Sequence, residues 1–451
     1  CEFGRHDDPS QISSSELALI RKDGGAIGFV TASRPVNAAS NAFLNNAFYE
    51  SLFTREDGRF RDLGSVFRDT KNNSLNGVSN RNYALLADPS MHLAIPDAEI
   101  IATKISTVSG DDTLKALSKV VVEGEVRLNN VLDNTFQGTL VLELKDKEFL
   151  FNTFGDENPV FTYKSRSNTL FRGQATVSDG VFHTEFILPK NIAYQVGTGK
   201  LSMYAKNNSN TVDAIGGATD FKIGESENDD GSDKTPPQIN VFIGDTTFVN
   251  GGIASSNTRL VARLFDVSGI NIANYGVGNN LVAVLDNDQV FELGEYYLSD
   301  VDDFSKGTIE FPIEGLEPGL HTLEVRAWDV YNNGGSASVT FVVTGENQLA
   351  IEDLRNYPNP FFDETTFLFT HNRSGEDLQV FASIVDMMGQ PVATLEYVIN
   401  DSQYLVTLPP WNGTNTAGTK LSKGLYLLRV TVRSLLDGSK NEHISRLIIS
   451  N

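Results

Sequence analysis

Cys1 is the only cysteine in a chain of 451 residues. A thiolate is a strong nucleophile, and a lone cysteine has no internal partner for a disulfide. Acyl transfer through sulfur is therefore the first chemistry to weigh. Such chemistry needs a base, and histidine is the usual one. His6 stands five residues beyond Cys1 on a segment that reads as loop. His92, His183, His321, His371 and His443 are scattered singly, without the spacing of metal ligands, and read as surface or packing residues. A cysteine at a mature N-terminus has a second use, as the acylated anchor of a lipoprotein, and Glu2, Asp7 and Asp8 are compatible with it. Carboxylates gather at Asp229-Asp230 with Asp233, at Asp286 with Asp288, and at Asp300-Val301-Asp302-Asp303. Ca²⁺ wants several such oxygens, but none of these runs has EF-hand spacing, and each reads first as a solvated turn. No cofactor is therefore expected, with Ca²⁺ kept as the alternative. Neither a phosphate-binding loop nor a Ser/His/Asp set is apparent.

The elements that must position these groups are mainly β. At this length the chain should split into three or four domains. Many short alternating runs bounded by Gly, Asn and Asp argue for sandwiches. The net charge of -22 disfavours nucleic acid and anionic membrane surfaces, which call for clustered Lys and Arg. No run of 18 apolar residues exists, so no helical span is expected. The chain has no initiating Met and no signal peptide, so a processed product or a fragment is expected.

Residues 1–97 read as mixed α/β. Helices are expected over 13–21 (SSSELALIR), 41–53 (NAFLNNAFYESLF) and 63–70, and strands at 26–32 (AIGFVTA) and after the Asp88-Pro89 break. The alternation suggests one end of a parallel sheet. From 98 the texture is β. Strands are expected at 120–128, 138–145, 160–164, 170–177, 181–188 and 199–206, with a Ser178-Asp179-Gly180 turn, forming a sandwich over 98–228. An acidic linker (ESENDDGSDK) and Thr235-Pro236-Pro237 lead into an Ig-like sandwich over 229–346. Its best strand, 319–328 (GLHTLEVRAW), places Leu323, Val325 and Ala327 on one face. A third sandwich occupies 347–451.

The last hundred residues carry an ordered set of motifs: Tyr357-Pro358-Asn359-Pro360-Phe361, then Asp386-Met387-Met388-Gly389 leading to Val392, Trp411-Asn412-Gly413, Gly424-Leu425-Tyr426, and the final Arg446-Leu447-Ile448-Ile449. The two prolines of the first fix φ and deny ladder donors, so that piece should lead into the domain rather than sit mid-sheet. The set resembles the type A C-terminal sorting domain of type IX secretion cargo, with Arg446 where Lys is commoner. Residues 1–97 resemble the end of a gingipain-type, caspase-like peptidase domain of family C25, on the stretches 1–9 (CEFGRHDDP), 24–36 (GGAIGFVTASRPV) and 83–93 (YALLADPSMHL). The middle of the chain resembles the surface-sortase branch of that family, at 168–189, 196–205, 248–256 and 307–333. The resemblance implies that Cys1 is the nucleophile and that its companion His lies upstream of it, outside this sequence, so that this chain would be inactive alone. It implies a cysteine peptidase of the cell surface that removes the C-terminal signal domain from secreted cargo and passes the cargo to lipopolysaccharide. It also implies that residues 347–451 hold the protein at the outer membrane on a β-barrel shuttle protein of the PorV type. The alternative is a non-catalytic surface adhesin exported by the same route.

Overall fold

The computed structural model describes residues 3–156, 158–227, 233–275, 278–345 and 348–450. Helix α1 (Ser14–Ile20) begins with a capping box: Ser13 N–H donates to Glu16 Oε2 at 2.9 Å, and Glu16 N–H returns to Ser13 Oγ at 3.4 Å. Strand β1 (Phe29–Ala32) follows, then α2 (Ala38–Leu52) capped by Asn37, α3 (Leu63–Ser74) capped by Asp62, and β2 (Tyr83–Leu86). β1 and β2 pair antiparallel, where a parallel pair was expected. A single crossover helix would return the chain parallel, whereas α2, α3, a short helical turn (Val78–Arg81) and a short hairpin lie between these strands. The strand also precedes the Asp88-Pro89 break instead of following it. Arg55 joins this segment to the next domain. It bonds Pro96 O at 3.2 Å, pairs with Glu99 at 3.1 Å and lies 4.3 Å over the Phe60 ring.

In residues 98–227 the long strands are β3 (Ala98–Thr107), β4 (Lys119–Leu128), β5 (Gly138–Lys145), β6 (Thr169–Ser178), β7 (Val181–Ile187), β8 (Lys200–Asn207) and β9 (Asp213–Ala218), with shorter strands between them. Their order is β7-β6-β5-β8-β9-β3-β4, and β4 pairs again with β7, so the two layers of this sandwich are joined by hydrogen bonds all the way round. Alternation fills it: Leu140, Leu142 and Leu144 of β5 are essentially buried. Asp179 and Gly180 both take positive φ in the β6–β7 turn.

The Ig-like sandwich holds β10 (Gln238–Ile243), β11 (Thr258–Phe265), β12 (Val282–Leu285), β13 (Tyr297–Asp300), β14 (Asp303–Ile313), β15 (Gly319–Trp328) and β16 (Gly334–Val343). One sheet runs β10-β11-β14-β13, and the facing one centres on β16-β15-β12. It docks on the preceding domain through β6: Gln174 donates to Ser299 O at 3.1 Å, and Thr176 N–H and Oγ1 reach Asp302 at 2.8 and 2.6 Å.

The last domain pairs β17 (Ile351–Tyr357), β18 (Thr366–His371) and β21 (Leu405–Thr407) against a sheet ordered β20 (Pro391–Ile399), β19 (Leu378–Val385), β22 (Gly424–Ser434), β23 (Lys440–Ile449). Its seam with the Ig-like domain is polar and aromatic. Tyr404 N–H donates to Asp245 Oδ2 at 2.6 Å, Leu405 N–H to Thr247 Oγ1 at 3.1 Å, and the Phe248 and Tyr404 rings sit 4.7 Å apart. Among the described residues no helix is long and apolar enough to cross a membrane.

Candidate functional site

Cys1 and Glu2 lie outside the described residues, which begin at Phe3. Gly4 N–H donates to Ala32 O at 3.0 Å and Ser15 N–H to Phe3 O at 3.1 Å. These bonds lay the segment across the end of β1 and the start of α1. The approach is so close that a Cβ on Gly4 would stand 2.0 Å from Thr31 Cγ2, which is why glycine occupies this place. Phe3 then borders a cleft of about 840 Å³ whose walls include Phe29, Thr31, Asn41, Phe48 and Tyr83. Tyr83 donates to Asn41 Oδ1 at 2.9 Å, and burial raises the pKa of its phenol. The cleft is open, and its walls mix apolar side chains with polar ones such as Thr31, Asn37, Asn41 and Asn45.

Charged residues brace the loop beyond Gly4. Arg34 grips Asp7 through both carboxylate oxygens, one bond being 2.8 Å, and holds this exposed carboxyl down at about 2. Arg5 pairs with Asp8 at 3.6 Å. The His6 ring presents Nδ1 to Gly4 O at 3.0 Å. A carbonyl only accepts, so Nδ1 carries the proton and Nε2 is the basic nitrogen of the neutral ring. His6 is exposed at this loop.

The remaining histidines stay apart. His371 is fully buried, with Nε2 donating to Gln403 O at 2.8 Å and Nδ1 accepting from Arg373 N–H at 3.0 Å; burial holds it down to about 4. His321 pairs with Asp286 at 2.7 Å and also donates to Glu317 O at 2.7 Å. His92 contacts Phe60 O, His183 lies near Glu123 and Glu185, and His443 sits exposed on β23. Two of the acidic runs are also engaged. Asp286 serves His321 and Thr322 N–H, while Asp302 serves Thr176 and Asp303 serves Ser305 and Lys306. Asp229 and Asp230 lie outside the described residues. Asp233 instead meets Asp266 and Asp329, partners too distant in sequence for spacing to reveal.

In the terminal domain the opening, Trp411, Gly424–Tyr426 and final motifs come together, while the Asp386 turn closes its own hairpin. The two prolines of the opening motif have cis peptide bonds. Asn359 Nδ2 donates to Arg446 O and Ile448 N–H donates to Asn359 Oδ1, both at 3.0 Å. Phe361 N–H donates to Ile448 O at 3.1 Å and Ser450 N–H to Phe361 O at 2.9 Å. The opening motif thus covers the outer edge of the last strand, a place that otherwise invites pairing with other chains. Trp411 packs on Phe361 and Phe367 with ring centroids 5.8 and 5.9 Å away and donates to Thr414 O at 3.1 Å. Gly413 has φ 75 and faces the Phe361 ring. Asp386 Oδ1 accepts from Met388 and Gln390 N–H, both at 2.9 Å, which closes the Gly389 turn.

Residues 1–94 match the sequence profile of peptidase family C25. This first segment is C25-like. The similarity points to the cysteine-peptidase class, and the mainly β remainder agrees with sandwiches following a peptidase-domain end. Among solved structures, the chain is similar to dimeric latent PorU from Porphyromonas gingivalis, with 29% identity over 88% of this chain and 38% of that one, and a TM-score of 0.38. The chain therefore spans well under half the length of that relative. It is also similar to fibronectin(III)-like modules of CbhA from Clostridium thermocellum, with 11% identity over 47% of this chain and 94% of that one, and a TM-score of 0.20. No curated protein matches the sequence.

Proposed function

We propose that this chain is the C-terminal part of a cell-surface cysteine endopeptidase of the type IX secretion route. It would remove the C-terminal signal domain from secreted cargo while keeping its own. The observation that carries this reading is the coexistence in one chain of a C25-like segment and a terminal domain with five ordered motifs, four of which touch one another around the last strand. Cys1 is the nucleophile. Its thiolate attacks the carbonyl carbon before the signal domain, the C–N bond breaks, and the leaving amine takes a proton. The thioester then passes to water or to an amine acceptor on surface lipopolysaccharide. The base is a histidine upstream of Cys1, outside this sequence, and the C25-like segment contributes one wall of the cleft. Residues 347–451 hold the enzyme at the outer membrane on a β-barrel partner.

The test replaces Cys1 with Ala in the full-length parent in its native host and weighs a secreted cargo protein by mass spectrometry. Cargo that keeps its C-terminal domain, while the variant still reaches the surface, supports the reading. Normally trimmed cargo overturns it.

A further inference from the structure

We propose that Asp233, Asp266 and Asp329 form a calcium site that ties the interdomain linker to the Ig-like sandwich. The three come from different places: the end of the linker, the residue after β11, and the turn between β15 and β16. One carboxylate oxygen of each lies within 4.8 Å of the others. Oxygens around a Ca²⁺ ion, each about 2.3–2.6 Å from it, stand at about this mutual spacing. Asp329 is 0% exposed and Asp266 4%. Neutral donors aim them. Ser268 N–H and Oγ hold Asp266 Oδ1 at 2.8 and 2.6 Å, and Asn333 N–H and Nδ2 hold the two oxygens of Asp329 at 2.7 and 2.6 Å. Thr235 N–H bonds Asp233 Oδ1 at 3.0 Å, and Asn333 Nδ2 also reaches Asp233 O at 3.3 Å. Gathering anions at such depth is costly without a cation. Burial and the neighbouring carboxylates accordingly raise the pKa of both Asp266 and Asp329.

A fourth side chain approaches the cluster from the Asp266 side. Tyr297 is 2% exposed, and its hydroxyl has no hydrogen-bond partner. It stands opposite Ile309, and its ring leans over Gly307, where an added Cβ would sit 2.4 Å from the hydroxyl. Gly307 is opposite Leu264, and the next inward pair along these strands is Ser305 and Asp266. The hydroxyl is therefore directed along the inner face toward Asp266; burial raises its pKa first, and the charges of Asp300, Asp303 and then Asp266 add to that. A buried hydroxyl without a partner is one that water in an ion's coordination shell would satisfy. A cavity of about 460 Å³, bordered by Asp233 and Asp266, supplies the path for ion and water. The donors are all oxygen, with no Cys or His, which favours a hard cation. Three carboxylates converging from separate loops suit the loose geometry of Ca²⁺ better than the strict octahedron of Mg²⁺.

The test uses the 451-residue chain stripped with EDTA and dialysed, with CaCl₂ or MgCl₂ titrated in by calorimetry and melting followed at about 2 mM Ca²⁺, a concentration above the roughly 10⁻⁴–10⁻³ M dissociation constants of extracellular Ca²⁺ modules. One Ca²⁺ binds, more tightly than Mg²⁺, and the melting temperature rises. Asp233→Asn, on the linker and away from the cores, folds normally and loses most of that binding. Asp266→Asn gives a sign test. Without Ca²⁺ the variant melts higher than the parent, because a repelling charge is gone; with Ca²⁺ it melts lower. The proposal is overturned if Ca²⁺ gives neither heat nor a melting shift, if Asp233→Asn binds as well as the parent, if Mg²⁺ binds as tightly, or if Asp266→Asn melts higher in both conditions.

Discussion

The two ends of the molecule are built to different standards of completeness. The terminal domain closes over its own core: Phe361, Phe367 and Phe369 are at most 1% exposed, and Trp411 is 4% exposed. The C25-like segment leaves large apolar side chains in the open, among them Ile20 of α1 at 69%, Phe43 of α2 at 63% and Phe53 just past α2 at 59%, beside a sheet of two strands. A two-stranded sheet is marginal alone. The difference teaches where each region draws its stability. The terminal domain depends on its large interior, whereas the C25-like segment has a smaller one, with Leu44, Leu52, Leu63, Val66 and Tyr83 buried, and leans more on caps and its Arg55 anchor to the next domain.

The largest expected effect breaks the self-contained end. Trp411→Ala or Phe361→Ala removes an aromatic that joins the opening motif to the last strand, and should cost about 3–5 kcal/mol in denaturant unfolding of that domain. A loss below about 1 kcal/mol would mean that the motif cluster is not the core.

Acid should reach the same region next. The unfolded His371 titrates near its ordinary value of 6.5, and the folded one near 4, so between these values the unfolded chain binds the extra proton. The stability contributed by keeping this ring neutral is therefore complete above about pH 6.5 and is lost as pH falls toward 4, by roughly 3 kcal/mol. Melting measured from pH 7 to 4, on the chain and on His371→Gln, checks it. The variant should show a shallower decline over that window.

In the C25-like segment a backbone contact should matter more than its exposed side chains. Gly4→Ala forces a Cβ into Thr31 and should cost about 1–3 kcal/mol of local stability, seen as faster hydrogen exchange in β1 and at residues 3–6. Phe43→Ser, on the exposed face of α2, should change the stability of the chain by no more than about 0.5 kcal/mol. If Phe43→Ser costs more than Gly4→Ala, the contrast between the two ends is wrong.

Local signals in the sequence carried much of this. Ser13 three residues before Glu16 announced the cap of α1, Asp179-Gly180 announced the β6–β7 turn, and the inward face of Leu323, Val325 and Ala327 is buried as the alternation implied. Non-local features were hidden. β3 (AEIIATKIST) escaped notice because a register shift between Ala102 and Lys104 spoils its alternation. The antiparallel sense of β1 and β2 depends on what lies between them, which periodicity does not encode. Asp266 and Asp329 look like ordinary turn residues until the fold brings them to Asp233. The motifs of the terminal domain were legible as an ordered set, but the covering of the last edge strand by the opening motif needed three dimensions.

The most direct test of the central claim takes the purified full-length parent and a cargo protein carrying a C-terminal sorting domain, and reads the products by intact-mass spectrometry. The account predicts one new cargo mass lacking the sorting domain, no such product with Cys1→Ala, and an enzyme that keeps residues 352–451 throughout. Equal trimming by the Cys1→Ala variant, or loss of the enzyme's own terminal domain during the reaction, would contradict it.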